Sequence, residues 1–268
     1  MLANTLNLAA RVNRPSRRPI TLANIAPTKA QADDLARIYA AVIAAWVAAQ
    51  PRIVAEYGRT LATMTTDSAE TTGNAIESVA DEIRRLVIML TPDLRRWALR
   101  LEQVHRGKWL RSVLSATDVD LSTILTAGDV EDTVGAAVNW NVALVRDVSD
   151  ELRKRIANSV FSGFQRRAPA TQIAKEIREA TGMARARAVR IAADQTVKLG
   201  ARLNQARQEQ VGLTSFKWRH SGKRHPRSWH KARDGKIYPW DNPGIPADDM
   251  PGVPPFCGCT AQGVIVFE

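Results

Sequence analysis

The sequence predicts a mainly α protein: an elongated helical N-terminal part followed by a small α+β module rich in proline, histidine and cysteine. Three observations predict it. Apolar residues recur at three- and four-residue steps, the period of one helix face, in successive runs from Ala32 to Gln210. Beyond Gly212 that period stops, and prolines, glycines and aromatics cluster. The same short region holds His220, His225 and His230 and both cysteines, Cys257 and Cys259. These shifts divide the chain into a flexible arm at 1–28, a helical domain at 29–212 and the small module at 213–268.

The arm mixes Arg11, Arg14, Arg17 and Arg18 with Pro15, Pro19 and Pro27 without any period, and is expected to be ordered by a partner, if at all. The first helix carries Leu35, Ile38, Tyr39, Val42, Ile43 and Trp46 on one face and is expected to end or kink at Pro51. A second runs through Ile76, Val79, Ile83, Leu86, Val87 and Leu90 to Thr91-Pro92, a cap residue followed by proline at the first position of a third helix. Asp129 opens a long stripe, Val130, Val134, Val138, Val142, Val145, Val148, Leu152, Ile156 and Val160, that fits one helix or two. Two further helices are expected, Pro169 to Ala180 closed by Gly182 and Ala184 to Gln210 closed by Gly212. Thr214 to Arg219 and Gly263 to Phe267 read as strands, whereas five prolines between Asp241 and Phe256 exclude a helix interior there. Because only 6% of the residues are aromatic, some of the apolar stripes, above all the one from Asp129 to Phe164, are expected to bury against another chain.

The net charge of +11 is concentrated. From Met183 to Lys236 there are 14 basic and 3 acidic residues, so this segment holds the whole excess and favours a polyanionic partner. The longest apolar run, Ile38 to Ala49, stops at Gln50-Pro51, short of the roughly 18 residues that span a bilayer, so no membrane association is expected. The N-terminal residues lack the apolar core of a secretory signal, which points to synthesis in the cytoplasm. Two cysteines separated by one residue exclude a secreted-type disulfide framework and suit a reducing compartment.

Three chemistries are open to these residues. His225, His230, Cys257 and Cys259 include enough nitrogen and sulfur donors for a tetrahedral zinc site, although Cys-x-Cys is tighter than the usual zinc spacing; without metal the thiols would pack as small hydrophobes. No cofactor is required by any motif, and zinc is the metal the set suits. Asp234 with a histidine could hold a metal for a nuclease-like reaction, but it is the only carboxylate between Glu209 and Asp241, and hard metals want several oxygens. Arg185, Arg187, Arg190, Arg202 and Arg207 could meet phosphates, with Trp218, Trp229 or Trp240 stacking on bases, in sequence-independent DNA binding. Phosphate-loop, nucleophile-elbow and kinase signatures are missing.

The most specific feature is an ordered series: Arg187-Ala-Val-Arg-Ile-Ala-Ala-Asp-Gln-Thr196, then Phe216-Lys-Trp218, His225-Pro-Arg227-Ser-Trp-His230, Asp234-Gly235 and Pro254-Pro-Phe-Cys257-Gly-Cys259. In order and spacing it resembles the phage Mu protein F-like family of head morphogenesis, or minor head, proteins. Trp218, Arg227, His230, Asp234, Gly235, Cys257 and Cys259 are the positions that carry the resemblance. Three departures stand out: Gln195 where an acidic residue is usual, Ser221 or Gly222 where aspartate often stands, and Gly258 where arginine usually lies between the cysteines. The resemblance implies a structural protein of the tailed-phage head rather than an enzyme, present in few copies beside the portal and acting in head assembly, packaging or ejection. The partners so implied are the portal protein, a major capsid or scaffolding protein, and packaged DNA through non-specific contact. Its place would be the virion, near the portal vertex.

Overall fold

A computed structural model describes residues 6–12, 18–63 and 68–267; Arg14, Pro15 and Arg17 of the expected arm lie outside them. The chain is mainly α with a small antiparallel sheet near its C-terminus. It divides into two compact units, one formed by Asp33–Arg95 with Val138–Ala192, the other by Met1–Ala32, Arg96–Ala137 and Ala193–Glu268.

The first unit is helical. Helix α2 (Lys29–Thr63, the short helix α1 being Leu8–Arg11) buries Leu35, Tyr39, Val42, Ile43, Trp46, Ile53 and Tyr57 on one face. By length and composition α2 could cross a membrane, which the run ending at Pro51 had not suggested. Its aromatic face is that of a core helix, because each polar tip finds a partner within the unit. Tyr39 donates to Asn141 Oδ1 at 3.0 Å, Trp46 Nε1 to Ser149 Oγ at 3.0 Å and Tyr57 to the Ala168 carbonyl at 2.6 Å. Pro51 lies inside α2 and does not end it; the proline is on the exposed side, beside half-exposed Val47, where water can reach the carbonyl that loses its amide partner.

Helix α3 (Ser68–Met89) turns at Leu90 into α4 (Thr91–Thr117), close to the boundary that Thr91-Pro92 signals. The long stripe forms one helix, α5 (Glu131–Arg166), entered by a short turn of 3-10 helix at Gly128–Val130. Val145, Val148, Leu152, Ile156 and Val160 are buried within this chain. The expectation that this stripe buries against another chain is therefore corrected: it is spent on the protein's own core. The two helices expected after Pro169 are a single one, α6 (Ala170–Gln210). Gly182 does not adopt the left-handed conformation that closes a helix, and Ile173, Ile177, Ala180, Ala184 and Ala188 carry one buried stripe across it. A mid-helix glycine costs about 1 kcal/mol, which such packing readily offsets.

In the second unit the described part of the arm is packed and is not free. Leu8, Val12, Leu22 and Ile25 share a core with Trp109 and Val113 of α4, Leu121, Leu125, Val211, Leu213 and Ile265. Strand β1 (Ile20–Thr21) pairs with β4 (Thr260–Ile265), placing Ile20 opposite Ile265. With β2 (Ser215–Arg219) and β3 (Ile237–Pro239) they form an antiparallel sheet in the order β1-β4-β2-β3. The end of α6 follows the sequence: Gly212 sits at φ +72, its amide donates to the Glu209 carbonyl at 3.0 Å, and Leu213 N donates to Gln208 O at 2.9 Å, a Schellman close that delivers the chain into β2. A β-carbon on Gly212 would lie 2.8 Å from the Leu6 carbonyl, so the arm also needs a glycine here.

Arg207, fully buried on α6, donates to Glu102 Oε1 at 2.8 Å and to the Thr126 carbonyl at 2.7 Å, and its other terminal nitrogen bonds Gln210 Oε1 at 2.9 Å. Three residues earlier, Asn204 bridges His105 Nε2 (3.0 Å) and the Ile25 carbonyl (3.0 Å). Arg207→Ala is expected to cost about 3–5 kcal/mol, since it leaves the buried Glu102 carboxylate with only the partly exposed Arg106, whose Nε donates to it at 3.1 Å. Urea denaturation of the full chain measures this, and a loss under about 1 kcal/mol would show that the pair holds little. His105 supplies a pH dependence. Burial pulls its imidazole down to about 4, against an opposing hydrogen bond donated to Asn204 Oδ1 and with Arg207 and Lys108 repelling the charged form. The unfolded chain takes up this proton near pH ~6.5, before the folded one does, so stability is full above that pH. It is expected to fall by about 3 kcal/mol as pH drops from about 6.5 to about 4. A urea midpoint that declines as steeply in His105→Gln as in the unaltered chain would refute the assignment to His105.

Candidate metal centre

The sheet's inner face carries Phe216 and Trp218 at alternate positions of β2, both fully buried, and they pack with Ile245, Cys257, Cys259 and Ala261. Against Trp218 stands His230 of the short helix α7 (Ser228–Arg233), its ring edge-on to the indole at 4.9 Å. Two bonds fix that imidazole. Nε2 lies 2.8 Å from Asp249 Oδ1, while Nδ1 faces Cys257 Sγ at 3.5 Å and Cys259 Sγ at 3.6 Å. With Nε2–H donated to the carboxylate, the lone pair of Nδ1 points at the two sulfurs, where a thiol or a metal ion can use it.

Asp249 is itself held. Trp229 Nε1 donates to it at 3.2 Å and Arg233 Nη1 at 2.5 Å, and the Arg233 guanidinium lies over the Trp218 ring. Burial pushes the carboxyl up, but the bonds from His230, Arg233 and Trp229 outweigh it and keep Asp249 below the usual carboxylate range. Both cysteines are buried and reduced. The Cys259 thiol donates to Cys257, which brings Cys257 down to about 5 and raises Cys259; the amides of Cys259 and Gly252 also face Cys257, and that of Ser221 faces Cys259. This is an environment that favours one thiolate.

The turn carrying the cysteines has its backbone groups satisfied by side chains from two segments, α6 and the loop from His220 to Arg227. Asp194 of α6 accepts from Phe256 N at 2.6 Å, Lys223 Nζ donates to Phe256 O at 2.6 Å and Arg227 to Pro255 O at 3.0 Å. Phe256 has φ +58, a left-handed conformation unfavourable for an aromatic residue, and the Asp194 bond helps to hold it. Gly258 allows the 220–223 loop to pass close by, since a β-carbon there would lie 2.8 Å from that of Ser221.

Of the four residues the sequence suggests as ligands, His230, Cys257 and Cys259 bring their ligand atoms within 4.8 Å of one another, a cluster that could hold a metal ion. His225 is outside that group but lines the same small cavity, of about 30 Å³. Of the other motif residues, Trp218 walls the site, Arg227 holds its turn, and Gly235 at φ +77 turns the chain into β3. Asp234 accepts from the His220 amide at 2.9 Å and lies outside the cluster, so the nuclease-like arrangement with Asp234 as metal ligand is not formed. The carboxylate beside the histidine is Asp249, which the sequence does not single out: it lies 19 residues from His230, in a proline-rich loop without a recognisable spacing. The only available signal was that a buried histidine needs an acceptor.

The basic residues separate. Arg185, Arg187, Arg190 and Arg202 are exposed. Arg207 is fully buried and paired with Glu102, so it is corrected from a phosphate contact to a core residue. Within the helical unit Arg187, Arg190 and Arg155 line one cleft of about 290 Å³ with Met183 and Glu151.

Residues 150–262 match the family of phage Mu protein F like proteins, a span that includes every motif position and begins earlier, in the second half of α5. A Haemophilus influenzae (strain KW20 / Rd) protein described as uncharacterized is 32% identical over 151 residues, which is 56% of this chain and 33% of that protein. The chain thus spans about a third of the length of this curated relative. No solved structure matches the chain.

Proposed function

We propose that this chain is a structural minor head protein of a tailed phage, incorporated beside the portal and acting in head assembly or in packaging and ejection of the genome. The observation that carries the reading is the Mu F-like region at 150–262, of whose motif residues Trp218, Cys257 and Cys259 converge on His230. Partner surface is available away from the buried stripe of α5. Trp140, Phe161, Ile88 and Met89 are large apolar side chains exposed on the helices, and they suit burial against the portal, a capsid subunit or a scaffolding protein. The virion is the corresponding location.

The experiment compares heads assembled without this protein and heads assembled with a variant that stops after Gly212. Defective heads or lost infectivity, together with the unaltered protein found in purified particles and co-purifying with portal rings, is the expected result. Heads of normal composition and full infectivity, with the protein absent from particles, would overturn the reading.

A second role compatible with the first is sequence-independent contact with packaged DNA. It is favoured by Arg155, Arg187 and Arg190 lining one cleft; Arg187 and Arg190, three apart on α6, share a helix face. Such binding should weaken steeply with salt, and replacing Arg187 and Arg190 by alanine should lower the salt slope by about two. Titration against duplex DNA at several salt concentrations tests it, and an unchanged slope removes both residues from the interface.

A further inference from the structure

We infer that His230, Cys257 and Cys259 bind a zinc ion and that His225 closes its fourth position, making a structural staple of the proline-rich module. The inference is independent of the head-assembly reading.

Geometry carries it. A tetrahedral zinc with sulfur at about 2.3 Å and nitrogen at about 2.0–2.1 Å has S···N edges of about 3.5 Å. The two such edges in the structure, from His230 Nδ1 to Cys257 and to Cys259, are 3.5 and 3.6 Å. Both edges therefore match a zinc site, the three donor atoms lie within 4.8 Å of one another, and the cavity they line is small, about 30 Å³.

The surroundings of the donors fit a bound cation better than a chance cluster of thiols. His230 presents Nδ1 because Asp249 engages Nε2, the carboxylate–histidine arrangement that orients metal-binding imidazoles. Asp249 is in turn fixed by Arg233 and Trp229, so the imidazole has a supported acceptor behind it. Backbone amides of Gly252, Cys259 and Ser221 face the sulfurs, as expected where thiolate charge must be stabilised. Two sulfurs and a nitrogen are a donor set for zinc and not for magnesium or calcium, which take oxygen.

The cavity that the three donors line is also lined by the loop from His220 to Arg227. His225 is exposed there and has no polar partner of its own among the described residues, whereas His220 Nδ1 already accepts from the Gly222 amide at 3.1 Å. A four-ligand, closed sphere is that of a structural zinc. A metal cross-link would add stability to the proline-rich loops that carry its ligands.

The test is elemental analysis of the full chain purified without chelator, followed by chelator competition. One zinc per chain is expected. Asp249→Asn should retain it with affinity lowered about 10- to 100-fold, and His225→Ala should lower affinity by at least about tenfold. Cys257→Ser with Cys259→Ser should abolish binding. Because the cysteine variants could misfold, the unaltered chain gives two further readouts: zinc should protect both thiols from alkylation, and cobalt in its place should show the absorption of a tetrahedral site with sulfur-to-metal charge transfer. A chain that binds no zinc, with thiols alkylated equally fast with and without added zinc, overturns the site. Zinc retained after loss of both cysteines places it elsewhere, and unchanged affinity in His225→Ala overturns the fourth ligand.

Discussion

A row of buried polar side chains on α6 is the constraint from which the C-terminal unit is organised. Asp194 receives the amide of Phe256 and so holds the cysteine turn. Asn204 bonds the carbonyl of Ile25 and the ring of His105, which ties the N-terminal segment and α4 to the same helix. Arg207 takes the Thr126 carbonyl and the Glu102 carboxylate, and Gln208 donates to the Ala261 carbonyl of β4 at 2.9 Å. Each of these bonds satisfies a polar group of the unit, and leaving such a group buried without a partner costs about 1–3 kcal/mol when it is neutral and more when it is charged. Apolar packing could tolerate a slide of any one segment along α6; these bonds cannot, because each donor meets one acceptor.

The metal centre inherits that order. Its two cysteines lie on a turn and immediately before β4, both positioned from α6, while His230 comes from α7, whose place is set by Trp218 and Asp249. The ligand atoms thus come from two segments, each anchored by bonds outside the site. This is why the three donors can stand at metal-like separations while the proline-rich loops between them contain almost no regular structure.

Patterns that depend on local chemistry were legible in the sequence. The helix stripes, the close of α6 at Gly212, the strand at Thr214–Arg219, and the convergence of His230 with Cys257 and Cys259 all rest on spacing or on residues with few alternatives. What was not legible depended on which side of a residue faces solvent. Pro51 and Gly182 interrupt a helix on paper, but Pro51 sits on an exposed face and Gly182 between two parts of one buried stripe. Arg207 counts as one more positive charge until Glu102, 105 residues away, is seen to neutralise it in the core. The N-terminal segment has no period because its apolar residues are spaced to fill gaps beside α4 and to add one short strand, not to make a face of their own. Asp249 was invisible for the same reason: its partner is set by tertiary folding alone.

The departures from the family motif have a physical reading in these surroundings. Gln195 is buried next to Asp194 and donates to its Oδ2 at 3.4 Å, while Lys198 pairs with that carboxylate at 2.9 Å. Asp194 is the acidic group that holds the turn, and a second carboxylate at Gln195 would repel it in a nearly water-free place. At Gly258 an added β-carbon would stand 3.2 Å from Lys223 Nζ. The space a longer cationic side chain would enter is already taken by the Lys223 ammonium, which bonds the carbonyl of Phe256. In both places a charged neighbour, Asp194 or Lys223, bonds the backbone of the cysteine turn.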